Sequence, residues 1–212
     1  MEFREGKDEL KPRLSFKDHG RPMKEKYVAI GVHSNGPQMK YWNYPRGWEY
    51  VVKYLNHKGY KALAIDLQYS NNRGEWIQHK PGEPEKPKWV NQPPDNAELA
   101  HDNPLDVTMS NIKHSEFFIG LSSGLSWLSW ALNKWVIMIN GVSEPWCEFQ
   151  HKCIHVYNDS EDVCTGCYHR DDTLNLKGEW DVCPDHKGTD RQFECTKEIE
   201  PPMVFSAIDK VL

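Results

Sequence analysis

Phe117-Phe118-Ile119-Gly120-Leu121-Ser122-Ser123-Gly124-Leu125-Ser126-Trp127-Leu128-Ser129-Trp130-Ala131-Leu132 decides the fold. A short apolar run stops at Ser-Ser-Gly, and an apolar segment with helical spacing follows, so a buried strand hands over to a helix. The first turn of such a helix has backbone N–H groups without intrahelical partners, and the helix dipole makes that end attractive to phosphate. Ser122 or Ser123 is suited to the N-cap, and Gly124 lets a ligand come close to the backbone. A capped strand-to-helix turn with no ligand is the competing reading, since many α/β folds contain one.

A second turn of the same kind lies upstream. Tyr27-Val28-Ala29-Ile30-Gly31-Val32 reads as a buried strand, followed by the loop from His33 to Asn43. A helix is expected to begin near Pro45. Its apolar positions Trp48, Val51, Val52 and Leu55 recur at helical spacing, and Gly59 ends it. The strand Ala62-Leu63-Ala64-Ile65-Asp66 completes a βαβ unit, and such units place ligands beyond the carboxyl ends of their strands. The loop offers the Ser34 hydroxyl and the Lys40 ammonium, a suitable partner for a diphosphate. Lys40 also reads as an ordinary solvated lysine.

The two turns predict an α/β fold with a Rossmann-like parallel sheet spanning residues 26–157. Residues 1–25 read as a polar tail or crossing segment. Residues 67–103 hold five prolines and are too long for an idle connector, so a lid, an insertion or an oligomer contact is expected there. Pro104 to Ile112 reads as a helix with Asn103 as its cap. Trp127 and Trp130, three apart on the later helix, are expected to pack in the core. Residues 158–197 read as a cysteine-rich metal-binding excursion, and 198–212 as a closing segment with a short helix from Val204.

The chain has 212 residues, with 26 basic against 31 acidic side chains. That mildly acidic balance argues against a nucleic-acid binder, which needs a basic face. No apolar run is long enough to span a bilayer, and the N-terminus lacks the apolar core of a signal peptide, so a cytoplasmic protein is expected. In that compartment six cysteines suggest metal rather than disulfides. Cys164-Thr165-Gly166-Cys167 is a C-x-x-C knuckle. Cys183 follows after fifteen intervening residues, and Cys195 after eleven more. One knuckle and two separated thiolates suffice for a tetrahedral site, and sulfur ligands suit iron and zinc alike. His169 and His186 are reserve ligands or surface histidines; Cys147 and Cys153 read as unliganded.

Four stretches resemble the autotransporter heptosyltransferase family: Lys40-Tyr41-Trp42-Asn43-Tyr44-Pro45-Arg46-Gly47-Trp48, Phe117 to Trp127, Gly141-Val142-Ser143-Glu144-Pro145-Trp146-Cys147-Glu148-Phe149, and Asp190-Arg191-Gln192-Phe193-Glu194-Cys195-Thr196-Lys197. The likeness runs from about Arg13 nearly to the C-terminus. These enzymes are similar to the lipopolysaccharide heptosyltransferases and have two Rossmann-like domains facing a cleft, the GT-B arrangement. The resemblance covers the C-terminal, nucleotide-sugar-binding half. It implies transfer of a heptose from a nucleoside-diphosphate sugar, ADP-heptose, to serines of an autotransporter-like acceptor protein. It also implies an iron held by Cys164, Cys167, Cys183 and Cys195, and a homo-oligomer.

On that reading Lys40 is the catalytic cation that stabilises the leaving diphosphate. Ser122, Ser123, Gly124 and Leu125 supply the helix terminus, Ser34 bonds the phosphates, and Asp66 either holds the ribose hydroxyls or is a turn residue. The metal site is expected to lie away from this chemistry. The lipopolysaccharide enzymes tend to carry Asp and His where this chain has Ser122 and Trp127. The family's general base belongs to its N-terminal domain, and only about 26 residues precede the first strand here. A fragment, a half-enzyme that needs a partner chain, or a non-catalytic nucleotide-sugar-binding or assembly module is therefore expected.

Overall fold

Tyr27–Gly31 (β1) is buried at all five positions, as a strand covered on both faces must be. The computed structural model describes residues 11–33, 38–66, 93–100, 103–170 and 183–212. Within them β1 is followed by α1 (Gly47–His57), β2 (Lys61–Ala64), β3 (Glu98–Leu99), α2 (Leu105–His114), β4 (Phe118–Leu121), α3 (Gly124–Ala131), β5 (Val136–Ile139), β6 (Cys153–Val156), a one-turn α4 (Glu194–Lys197) and α5 (Pro201–Val211).

The strands form one six-stranded sheet in the order β3-β2-β1-β4-β5-β6, and every pairing is parallel. Ile30 sits opposite Ala64 on one side and Ile119 on the other. Side chains alternate between two cores. Val28, Ile30, Ile119, Leu121, Ile137 and Ile139 face α1 and α5, meeting Val51, Val52, Leu55, Val204 and Ile208. Tyr27, Ala29, Phe118, Val136 and Met138 face α2 and α3, meeting Ile112, Leu125, Leu128 and Trp130. From β1 the chain winds outward through β2 and β3, then returns to the other flank of β1 as β4. This reversal is the place where a doubly wound sheet opens a crevice at its carboxyl ends.

The predicted βαβ units are present, with four adjustments. The strand β3 lies in the stretch read as an insertion; both of its residues are exposed, so no apolar run announces it. The helix α2 is capped by Pro104 in extended backbone rather than by Asn103. The closing helix begins at Pro201, three residues early, because two prolines suit a first turn. Trp127 is 42% exposed rather than in the core. The sheet-facing side of α3 is made of Ser126 and Ser129, whose hydroxyls donate to the carbonyls of Leu121 (2.5 Å) and Leu125 (2.7 Å). Small side chains seat the helix close to the sheet; Trp130 packs against the core, and the Trp127 indole lies exposed.

The polar stretch before β1 lies along α2. The backbone N–H of His19 donates to Ser110 Oγ at 2.9 Å, and Asp18 receives Lys113 at 2.6 Å and His114 at 2.8 Å. No helix among the described residues is long and apolar enough to cross a membrane.

Candidate functional site

The loop after β1 is pinned by the residues that follow it. Trp42 is fully buried, and its indole N–H donates to the Ile199 carbonyl at 2.7 Å. Its ring meets Trp48 edge-on at 5.4 Å. A side-chain carbon at Gly47 would lie 2.7 Å from that ring, so the start of α1 needs a glycine here. The amide of Asn43 donates to Thr196 Oγ1 at 2.8 Å. On the other side Met39 is buried against Val142, Cys167, Cys183 and Phe193. Lys40, between these anchors, is only partly covered, and its ammonium lies 5.3 Å from the centre of the Tyr168 ring.

The second wall is the end of β4. Ser123 stands at the N-cap of α3 in extended backbone, makes no side-chain capping bond, and is followed by a first turn without acidic residues. The third wall follows β5. Asn140 closes a tight turn, taking the Ser143 N–H at 3.2 Å and donating to the Ser143 carbonyl at 2.8 Å. The short 3₁₀ turn Pro145–Cys147 then delivers Glu148. Ser122 Oγ donates to Glu148 Oε1, and the Trp127 indole N–H donates to Glu148 Oε2 at 3.0 Å.

Together these walls enclose a cavity of about 390 Å³ lined by Lys40, Ser122, Ser123, Gly124, Trp127, Ser143, Cys147, Glu148, Tyr168 and His169. It lies at the carboxyl ends of β1, β4 and β5. Four sequence candidates, Lys40, Ser122, Ser123 and Gly124, are brought to it; Leu125 follows in the same first turn but packs its side chain in the core beneath. Ser34 falls outside the described residues.

Asp66 is not among the lining residues. It is 3% exposed, and its carboxylate accepts the N–H groups of Val32 at 2.7 Å and His33 at 3.1 Å, clamping the chain as it leaves β1. Burial pushes this carboxyl up to about 7, against the pull of those two N–H groups. Its folded-state pKa therefore lies above its unfolded value of about 3.9. Such a group favours folding below pH ~4 and loses that contribution as pH rises through about 7. Relative to Asp66→Asn, the wild type is expected to lose stability between pH 5 and pH 7.5. Urea unfolding at both pH values checks this, and a pH-independent difference would refute it.

The cysteine excursion was expected to stand apart from the site, but it abuts the cavity. The Gly166 N–H donates to the Gly141 carbonyl at 3.1 Å, and the Tyr168 N–H to the Val142 carbonyl at 3.0 Å. This carries Tyr168 and His169, which follow directly on Cys167, into the cavity wall. His169 Nε2 lies 3.2 Å from Cys147 Sγ, and its ring rests against Trp146 at 5.2 Å. The knuckle turns at Gly166, whose φ of 70° is the left-handed conformation that glycine tolerates.

Cys167, Cys183 and Cys195 are buried and Cys164 partly so. Burial, and then the charges of Cys167, Cys183 and Cys164, push the Cys195 thiol up to about 12. Burial, and then Cys183 and Cys164, do the same to Cys167. Thiols in this position ionise readily only beside a cation. Among the described residues, the potential metal ligands whose ligand atoms come within 4.8 Å of one another are Cys164, His186 and Glu194. Glu194 is already engaged, taking Arg191 at 2.6 and 2.7 Å and the Cys164 N–H at 2.8 Å.

Sequence reasoning missed Ser143, Glu148, Tyr168 and His169. Their place in the family-like stretch 141–149 was the available signal for the first two. For Tyr168 and His169 it was adjacency to the knuckle.

No family model matches the chain. Its sequence is 37% identical over 197 residues to the autotransporter heptosyltransferase Aah of Escherichia coli, covering 93% of this chain and 46% of that protein. The structure superposes on the dodecameric iron-containing heptosyltransferase TibC of E. coli, solved with ADP-D-β-D-heptose, with a TM-score of 0.73 and 35% identity, covering 96% of this chain and 47% of that one. The lipopolysaccharide heptosyltransferase II of E. coli shares the fold, at a TM-score of 0.55 and 14% identity over 88% of this chain and 46% of that one. The chain thus spans just under half the length of these relatives. The match, the parallel sheet in Rossmann order and the motif residues gathered at its carboxyl edge agree, and the chain belongs to the autotransporter heptosyltransferase family, matching the C-terminal part of its members.

Proposed function

We propose that this chain is the nucleotide-sugar-binding half of a heptosyltransferase that takes ADP-heptose and serves its transfer to serines of an acceptor protein. The observation that carries the reading is the convergence of Lys40 and the open first turn of α3 on one cavity at the switch point of the sheet. N–H groups at the start of α3, from Gly124 and Leu125, would bind the diphosphate, with Ser123 and Ser34 as hydroxyl donors. Lys40 would stabilise the negative charge that develops on the leaving diphosphate. Asp66 would act by shaping the exit of β1, toward the ribose side. TibC is described with ADP-D-β-D-heptose and as a dodecamer, which supports the same donor and a homo-oligomer here.

We further propose that Cys164, Cys167, Cys183 and Cys195 hold one iron ion. The iron described for TibC supports this, as does the burial of three of the four thiols. The engagement of Glu194 with Arg191 suits it to orient Cys164 rather than to bind metal. The ion would fix the knuckle, and through it the Tyr168–His169 wall.

Lys40→Ala removes a charge-assisted bond and is expected to weaken ADP binding by roughly 1.5–3 kcal/mol. A side-chain carbon at Gly124 would meet no neighbouring atom within 4 Å, and Gly124→Val is expected to weaken binding at least as much by filling the approach to the backbone. Calorimetry with ADP checks both, and unchanged affinity in the two variants would refute the reading.

A further inference from the structure

Glu148 is the acidic side chain among the described residues that line the cavity, and its placement poses a chemical problem. A carboxylate beside a diphosphate site opposes the ligand's charge. Yet Glu148 is held there by two donors, with a further hydroxyl nearby. Ser122 Oγ bonds Oε1, Ser143 Oγ approaches the same oxygen at 3.4 Å, and the Trp127 indole N–H bonds Oε2 at 3.0 Å. Ser143 is itself fixed by Asn140, its hydroxyl donating to Oδ1 at 3.0 Å. Charge-assisted bonds of this kind fix the carboxylate in one orientation. A carboxylate has about four lone-pair sites, so Oε2 still has one to offer the cavity.

The group such an acceptor suits is a neutral ligand rich in O–H donors. Position narrows it further. Asp66 marks the β2 side of the switch point, where doubly wound folds place the ribose, whereas Glu148 enters after β5, on the opposite side of the α3 terminus. The part of a nucleoside-diphosphate sugar that lies across the diphosphate from the ribose is the sugar. Trp127, 42% exposed on the same wall, offers an apolar face beside that position.

We propose that Glu148, held by Ser122 and Trp127, is a specificity-determining residue that accepts hydrogen bonds from the hydroxyls of the transferred sugar. The assignment rests on the reading of the cavity as a nucleotide-sugar site. It gives Ser122 and Trp127 a common task, to present a carboxylate that neither carries.

Titration calorimetry on the full chain with ADP and with ADP-heptose tests it. Glu148→Gln keeps the shape and loses the charge, and is expected to weaken ADP-heptose roughly tenfold or more while leaving ADP within about twofold. Trp127→Phe removes the indole N–H and is expected to shift the same ratio in the same direction by a smaller factor. Lys40→Ala is expected to weaken both ligands. Equal weakening of ADP and ADP-heptose by Glu148→Gln, or no change in either, would overturn the assignment even if Lys40→Ala behaves as expected. A wild type that binds neither ligand would overturn the nucleotide-sugar reading and this assignment with it.

Discussion

Cys183→Ser is expected to abolish binding of the proposed iron and to loosen the segments 163–170 and 183–197. Cys183 is buried against Met39, Val142, Cys167 and Phe193. Among its described residues, the Gly166 and Tyr168 backbone bonds and the Arg191–Glu194 pair help to hold this region in place. Metal binding in such a small subdomain is folding energy, with apparent values of roughly 10–16 kcal/mol for tetrahedral zinc sites. Loss of one thiolate should forfeit most of that. Elemental analysis should show about one equivalent of iron in the wild type and in Cys147→Ser and Cys153→Ser, and little in Cys183→Ser. Hydrogen exchange should lose protection at Tyr168 and His169, and ADP affinity should fall because those residues form a cavity wall. Full metal content in the Cys183→Ser chain would refute the four-thiolate proposal.

Trp42→Ala is expected to have the next largest effect. The side chain is fully buried, wedged between Trp48 and Gly47, and donates to Ile199 at the entry to α5. Removal of a buried tryptophan costs about 3–5 kcal/mol, and the Ile199 carbonyl would be left without its partner. Trp42→Phe keeps most of the apolar fill and should lose about 1 kcal/mol less the gain from any repacking. Urea unfolding measures both. A loss under about 1 kcal/mol in the alanine variant would contradict the role of this residue as the pin between the β1 loop and the C-terminal helices.

The legible parts of this molecule are those governed by neighbours in sequence. The buried strands β1, β2, β4 and β5, the face of α1 and the Ser-Ser-Gly turn all follow from local apolar periodicity and turn chemistry. The strand β3 escaped because Glu98 and Leu99 are exposed at a sheet edge and carry no such pattern. Trp127 was misplaced for a related reason. Periodicity points large apolar residues inward, but serines that satisfy their hydroxyls on backbone carbonyls can seat a helix closer, and here they take the inner face. Lys40 and the α3 terminus were found because each stands at a strand end. Glu148 and Tyr168 were not, because Ser122 and Trp127 hold the one and the anchoring of the knuckle on Gly141 and Val142 brings in the other. That arrangement is non-local and becomes visible only in three dimensions.

The central claim is that the cavity bounded by Lys40, the start of α3 and Glu148 takes a nucleoside-diphosphate sugar. Its most direct test is a crystal structure of this chain with ADP-heptose. The account predicts the diphosphate within hydrogen-bond distance of the Gly124 and Leu125 N–H groups and of the Lys40 ammonium, with the sugar on the Glu148 side. A nucleotide bound elsewhere on the chain, or a diphosphate remote from both Lys40 and the start of α3, would contradict it.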